Sequence, residues 1–348
     1  MPSHRPKVTM SGVADELHRL ISQHGPISVA QYIEVSNTHY YATRDPLGAS
    51  GDFVTSPEIS QMFGELLGLR SLVQWRKMGS PDPVYVVEAG PGRGTLMADF
   101  MRAASQDPNF VKAAQVYLIE ASPVLRQVQK KNVLFNPTWC DRLDEVPEGP
   151  ILFVANEFFD ALPICQFEKT SNGWCERMVA LNGDEFNFAL SEDVVSGTFP
   201  DSEIGAIFET CPIGVEIAVN LGDRINRYGG GALIVDYGYT DTASGDTFQA
   251  VKDHQYQSVL ANPGNVDLTA HVNFENLVQA ISQGNVKTEA LQTQRDFLRD
   301  MGILDRAEML ADGATSAQVE DIGSALKRLI GEKEMGNLFK VLVATNEI

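Results

Sequence analysis

The stretch VYVVEAGPGRGT, Val84 to Thr95, runs from consecutive β-formers straight into three glycines in five residues, Gly90, Gly92 and Gly94. An apolar strand, a glycine loop and then the helical run TLMADFMRAAS make the opening unit of an open α/β sheet. Such sheets bind ligands beyond the carboxyl ends of their strands, and glycine lets the backbone come close to them. The spacing narrows the choice of ligand. A dinucleotide loop reads G-x-G-x-x-G, yet the third place is Thr95 counted from Gly90 and Met97 counted from Gly92. A Walker loop ends in Gly-Lys-Ser or Gly-Lys-Thr, and no lysine lies nearby. What remains is Glu88-x-Gly90-x-Gly92-x-Gly94, an acid at the strand end with glycine at every second place.

The rest of the chain alternates in the same way. AQVYLIEAS reads as a second strand, PVLRQVQKKN as the helix after it, and a short strand is expected near Trp139 and Cys140. PILFVANEFFD is a fourth strand, GVEIAVNLGDRINRYGGG a helix stopped by glycines, and ALIVDYG a fifth strand. TSPEISQMFGELLGLRSLVQWRKMG reads as a helix capped by Thr55 or Ser56, with Pro57 in its first turn. Phe63, Leu66, Leu67 and Val73 form its apolar face. Two Asn-Gly turns between alternating runs in ICQFEKTSNGWCERMVALNGDEFNFAL predict an antiparallel meander after the fourth strand. GNLFKVLVATN predicts a last strand re-entering beside the fifth. The expected fold is therefore α/β, a Rossmann-like sheet with an antiparallel last strand, an N-terminal helical segment and an inserted β-meander. The expected organisation is an N-terminal helical segment with an active-site loop (1–80), the first half of the core (81–163), the meander (164–212), and the second half with a helical insertion (213–348).

The glycine pattern is similar to motif I of class I S-adenosylmethionine methyltransferases. The methionine end of that cofactor carries an ammonium and a sulfonium, so a strand-end carboxylate, Glu88, is welcome there. The loop Gly90, Pro91, Gly92, Arg93 and Gly94 would pass along the methionyl and ribose parts, with Arg93 facing the methionine carboxylate or solvent. Glu120 ends the second strand, where an acid can take both ribose hydroxyls. Asp141, after the third strand, is the candidate for the adenine amino group. The fourth strand ends in ANEFFDALP and presents Asn156, Glu157 and Asp160 beside two phenylalanines. Paired carboxylates suit a guanidinium, which stays protonated and must be aligned rather than simply deprotonated. The competing view has Glu157 and Asp160 capping the next turn and the phenylalanines in the core.

Composition sets outer limits. With 43% hydrophobic and 21% charged residues the 348-residue chain is an ordinary globular sequence. Its net charge of −19 disfavours nucleic acid as a partner and is compatible with a basic peptide or a cationic small molecule. No apolar run approaches the ~20 residues needed to span a bilayer. Cys140, Cys165, Cys175 and Cys211 lack CxxC spacing and clustered histidines, so neither a disulfide nor a metal site is expected. The start, MPSHRPKVTMSGVADELHRL, fits neither a secretory signal nor an acid-poor transit peptide. A bacterial cytoplasmic location is expected, with the mitochondrial matrix as the alternative.

Several longer motifs resemble one family. GDFVTSPEISQMFGELLG, GPGRGTLMADFMR, LIEASPVLRQVQ, ANEFFDALPICQF, GDTFQAV, DLTAHVNF and MGNLFKVL together resemble the MidA family, from about Gly25 to about Val343. That resemblance implies a class I fold with S-adenosylmethionine as methyl donor. For the mitochondrial members it implies symmetric dimethylation of an arginine in a respiratory complex I core subunit. It would place the loop from Gly51 over the methyl-transfer site, with Ser56 and Pro57 on the cofactor side and Asp52 and Phe53 on the substrate side. Tyr237, Asp267 and His271 would be further substrate-side groups. The sequence departs from the family pattern at Cys165, around Asn37 to His39, and at Asn273. Three functions compete: a protein arginine methyltransferase, a methyltransferase for a small nucleophile, and a cofactor-binding assembly factor with little catalysis. Thr95 weighs against a nicotinamide dehydrogenase.

Overall fold

β-Branched and aromatic runs form the centre of one mixed sheet. The computed structural model describes residues 12–43, 54–252, 255–284 and 286–346. The chain divides into two units. One takes the described residues of Met1–Tyr41, Pro163–Cys211 and Ala243–Ala270, and the other those of Ala42–Leu162, Pro212–Thr242 and His271–Ile348.

The larger unit holds the sheet: β1 (Val84–Ala89), β2 (Ala114–Ile119), β3 (Thr138–Cys140), β4 (Ile151–Asn156), β5 (Gly230–Tyr239) and β6 (Phe339–Asn346). Their spatial order is β3-β2-β1-β4-β5-β6, with β1 to β5 mutually parallel and β6 antiparallel to β5. The expected antiparallel last strand is present, and two-residue strands at Lys287–Thr288 and Gln292–Thr293 pair with it. Every residue of β1 and β4 is buried, which is why these strands read as continuous apolar runs rather than alternations. From β1 the chain steps outward to β2 and β3, then returns to the other side as β4 and β5. The crevice between the ends of β1 and β4 is thus the topological switch point of the sheet.

Both faces of the sheet are covered. On one, Val86, Leu118 and Val154 pack with Phe63, Leu67, Leu96 and Phe100 of helices α1 (Gln61–Lys77) and α2 (Thr95–Ala104). On the other, Val87, Phe153 and Ile234 pack with Leu221 and Ile281 of two further helices. Successive strand residues serve opposite faces, as the period of two requires. Helix α3 (Pro123–Asn132) follows β2 and starts at Ser122, whose hydroxyl accepts from Leu125 N–H. The helix expected to begin at Thr55 is two helices, Ser56–Ile59 and α1, because Ser60 is extended and caps α1 by accepting from Met62 N–H. Val73 is 45% exposed and not on the buried face.

In the smaller unit Cys165–Thr170, Gly173–Asn182, Glu185–Val194, Ile207–Thr210 and Ile27–Ser28 form an antiparallel sheet, the expected meander with an added strand. Its two tight hairpins lie at the Asn-Gly pairs, with Gly173 and Gly183 at φ 140° and 64°. Helices Val13–His24 and Val29–Thr43 supply the N-terminal helical segment. Among the described residues no helix is long and apolar enough to cross a membrane.

Helices α1 and α2 meet where α1 carries glycine. A Cβ built at Gly68 would lie 2.3 Å from the carbonyl oxygen of Phe100, a clash against backbone that no rotamer change relieves. Gly68→Ala is expected to destabilise the fold by about 1–3 kcal/mol, read as a lower denaturation midpoint at unchanged slope. An unchanged midpoint would contradict this packing.

Candidate active site

The loop between β1 and α2 is built of left-handed turns, with Gly90, Gly92 and Gly94 at φ 63°, 52° and 82°. A Cβ at Gly90 would approach the Phe158 ring to 2.9 Å, so this glycine also lets the loop lie against the segment after β4. Pro91 is buried, and its carbonyl accepts from Gly94 N–H at 2.7 Å. Helix α3 holds the loop from outside. Gln129 Nε2 donates to Gly92 O at 2.7 Å and Asn132 Nδ2 to Arg93 O at 2.9 Å. The Trp139 indole N–H, 2.7 Å from Gln129 Oε1, fixes which way that amide points. Gln129 and Asn132 were not among the residues expected at the site; nothing in PVLRQVQKKN sets them apart from ordinary helix polar residues.

Glu88 is only 3% exposed at the end of β1. Burial raises its pKa to about 8; Glu120 adds to the rise, and a hydrogen bond from Met97 N–H in the first turn of α2 opposes it. Its Oε2 is buried with no hydrogen-bond partner among the described residues. Such an orphaned acceptor beside three left-handed glycines fits a ligand that brings a cationic donor. Glu120 is also buried, and burial raises its pKa. Its oxygens accept from Ser122 N–H at 2.7 Å and from Gln129 Nε2 at 3.1 Å, which leaves lone pairs for a diol. Arg93 Nη1 stands 3.8 Å from the Glu58 carboxylate. Asp141 is exposed and pairs with Arg126 at 2.5 Å.

The second half of the site gathers at the ends of β4 and β5. Glu157 has φ 50°, left-handed although it is not glycine. Its Oε1 accepts from Asn156 Nδ2 at 3.0 Å and from Ser56 N–H at 3.4 Å. The buried Ser56 hydroxyl lies 3.3 Å from Gln294 Oε1, and Pro57 is buried beside it. Asp160 is buried, and burial raises its pKa to about 6 against hydrogen bonds from the Tyr237 hydroxyl and Ala161 N–H. Asn156 Oδ1 and Asp160 Oδ1 are buried without a hydrogen-bond partner among the described residues. Phe159 is core and Phe158 half-buried, their rings edge to face. The His271 ring meets Tyr237 edge-on, 5.4 Å between centroids, and burial, then Lys340, lowers its pKa.

One buried acid of this cluster was not expected from sequence. Asp236 Oδ2 accepts from Phe158, Phe159 and Asp160 N–H at 3.2, 3.0 and 3.2 Å, and its Oδ1 from Tyr237 N–H at 2.9 Å. Burial first, then Asp160 and Glu157, pushes its carboxyl well above the ordinary range. The turn after β4 is therefore capped by Asp236. Asp267 belongs to the smaller unit, where it accepts from the Tyr41 hydroxyl at 2.8 Å. Asn273 caps the following helix by accepting from Asn276 N–H, which accounts for an amide at that place. Asp52 and Phe53 lie outside the described residues.

A sequence model of the S-adenosyl-L-methionine-dependent methyltransferase family matches residues 66–291. The chain belongs to this family. It is therefore an S-adenosylmethionine-dependent methyltransferase, with that compound as its methyl donor. A zebrafish (Danio rerio) relative, protein arginine methyltransferase NDUFAF7, mitochondrial, is 37% identical over 92% of this chain and 84% of its own. The human protein of the same name is 35% identical over 92% and 80%. Among solved structures, a likely methyl transferase from Burkholderia thailandensis bound to S-adenosyl-homocysteine shares the fold. It has a TM-score of 0.82 at 24% identity, covering 96% of this chain and 92% of that one.

The methyltransferase should take up its cofactor with a change in protonation. A carboxyl raised to about 8 favours the folded state below its unfolded value near 4.5, and that contribution is lost as pH rises through 8. A cationic ligand reverses the preference, so S-adenosylmethionine binding at pH 7 is expected to release up to about one proton. Calorimetric enthalpies in phosphate and Tris should differ accordingly, and Glu88→Gln should remove the difference. Equal enthalpies for the unaltered enzyme would contradict a neutral Glu88.

Proposed function

We propose that this methyltransferase is a protein arginine N-methyltransferase acting on a complex I-type subunit. The observation that carries the reading is the set of acceptors at the end of β4: the Glu157 carboxylate beside the unpartnered Asn156 Oδ1 and Asp160 Oδ1. A guanidinium offers five N–H donors in a planar fork and no acceptor, so a site rich in buried acceptors matches it. The bound cofactor supplies an electrophilic methyl group on its sulfonium. Glu157 and Asp160 would hold two adjacent edges of the fork, which share the nitrogen that faces that methyl. Methylation releases one proton from the attacking nitrogen. Asp160, titrating near 6, is matched to accept it at neutral pH and pass it on.

The relatives' names, protein arginine methyltransferase and mitochondrial, support both the reaction and the matrix alternative over a bacterial cytoplasm. The assignment of a complex I-type subunit rests on the family motifs. The net charge of −19 favours a basic protein segment over nucleic acid.

Incubation with the cofactor and complex I-type subunits, followed by mass spectrometry, should show methylated arginine. Glu157→Gln should lower kcat at least about a hundredfold, the loss of a charge-assisted contact at the reacting group, while S-adenosylhomocysteine affinity stays within about threefold. Unchanged turnover would return Glu157 to a structural role.

A further inference from the structure

Glu157 adopts a left-handed backbone conformation that a residue with a Cβ avoids unless its surroundings enforce it. The surroundings here are specific. Asn156 is the last residue of β4, in register with Val235 of β5, and Glu157 N–H continues the ladder by donating to Val235 O at 3.0 Å. The chain then leaves the sheet. The next three N–H groups, of Phe158, Phe159 and Asp160, turn together onto a single oxygen of Asp236 at 3.0–3.2 Å. Three consecutive N–H groups converging on one oxygen form a nest for an acceptor, and the left-handed Glu157 stands immediately before it.

Asp236 itself has little freedom. It is fully buried, its other oxygen accepts from Tyr237 N–H, and its strand is paired on both sides, with β4 and with β6. The acceptor is therefore fixed by the sheet, and the turn is fixed to the acceptor. That turn carries Glu157 at its start and Asp160 at its end, and Tyr237, next to Asp236, gives its hydroxyl to Asp160.

We propose that Asp236 is the positioning residue for methyl transfer: its Oδ2 gathers the three N–H groups and so holds Glu157 and Asp160 in the orientation that receives the substrate. This role rests on the reading of Glu157 and Asp160 as substrate-side acids, and it assigns Asp236 no contact with substrate or cofactor. Beyond the Glu157 N–H bond to Val235 O the turn has left the sheet, and Asp236 is the acceptor that holds its next three N–H groups.

The test compares Asp236→Ala with Asp236→Asn, since the amide oxygen of asparagine still accepts the three N–H groups, with only the Tyr237 N–H bond lost, and alanine offers no acceptor. Three readouts are taken: S-adenosylhomocysteine affinity by calorimetry, the φ of Glu157 in crystal structures, and methyl transfer to a peptide with one arginine flanked by glycines. In Asp236→Ala the affinity should stay within about threefold, Glu157 should leave the left-handed region, and kcat should fall at least a hundredfold with a smaller change in KM. Asp236→Asn should recover at least tenfold of that rate and the left-handed Glu157. A left-handed Glu157 in Asp236→Ala, or an asparagine variant no better than alanine, overturns the proposal. So does a failure of both variants to fold, which makes Asp236 a framework residue. If the unaltered enzyme leaves the peptide unmethylated, the arginine reading is what fails, and the backbone readout still decides the role of Asp236.

Discussion

The site depends on the parallel pairing of β4 with both β1 and β5. Register along β1 and β4 sets Ala89 against Ala155, and register along β4 and β5 sets Asn156 against Val235, so β1 and β4 end within one residue of each other while β5 runs on to Tyr239. Glu88, Asn156 and Asp236 come from segments far apart in the chain and reach one rim for that reason alone. The order reversal between β1 and β4 then opens a crevice at the rim, because the connections leave in opposite directions. A slip of one residue in either pairing would turn these side chains to the opposite face of the sheet.

Burial at the rim raises the pKa of more than one carboxyl. At Glu88 it raises the value to about 8. At Asp160 it raises the pKa to about 6, into the range where a carboxyl can exchange a proton at neutral pH. Two acids with the same side-chain chemistry to within one methylene thereby have their pKa values raised to different levels. Glu120 stands between them in character, buried but already supplied with a backbone N–H and an amide. The helix after β2 reaches both Glu120 and the glycine loop through Gln129, so the two share one support.

Much of this was legible in the sequence, for physical reasons. Strand ends show as the last apolar residue before a polar turn, so Glu88, Glu120 and Asn156 stand out, and glycine takes the left-handed backbone of the loop between β1 and α2 without the strain a Cβ brings. The antiparallel last strand was legible from GNLFKVLVATN, and the hairpins from their Asn-Gly pairs. What stayed hidden were long-range contacts. Asp236 reads as one more polar residue in ALIVDYG, and its partners lie 76 to 78 positions earlier. Gln129 takes its role from a register between helix and loop that no local pattern records. Val73 and the break at Ser60 were missed because the amphipathic pattern of α1 does not mark which apolar side chain faces the sheet.

The most direct measurement is a parallel calorimetric titration with S-adenosylhomocysteine and NAD. The glycine loop with its buried acid at β1 predicts one saturable site for the homocysteine compound and no heat from NAD, since Thr95 stands where a pyrophosphate loop has its third glycine. Binding of NAD, or of neither compound, would contradict the assignment of this rim to S-adenosylmethionine.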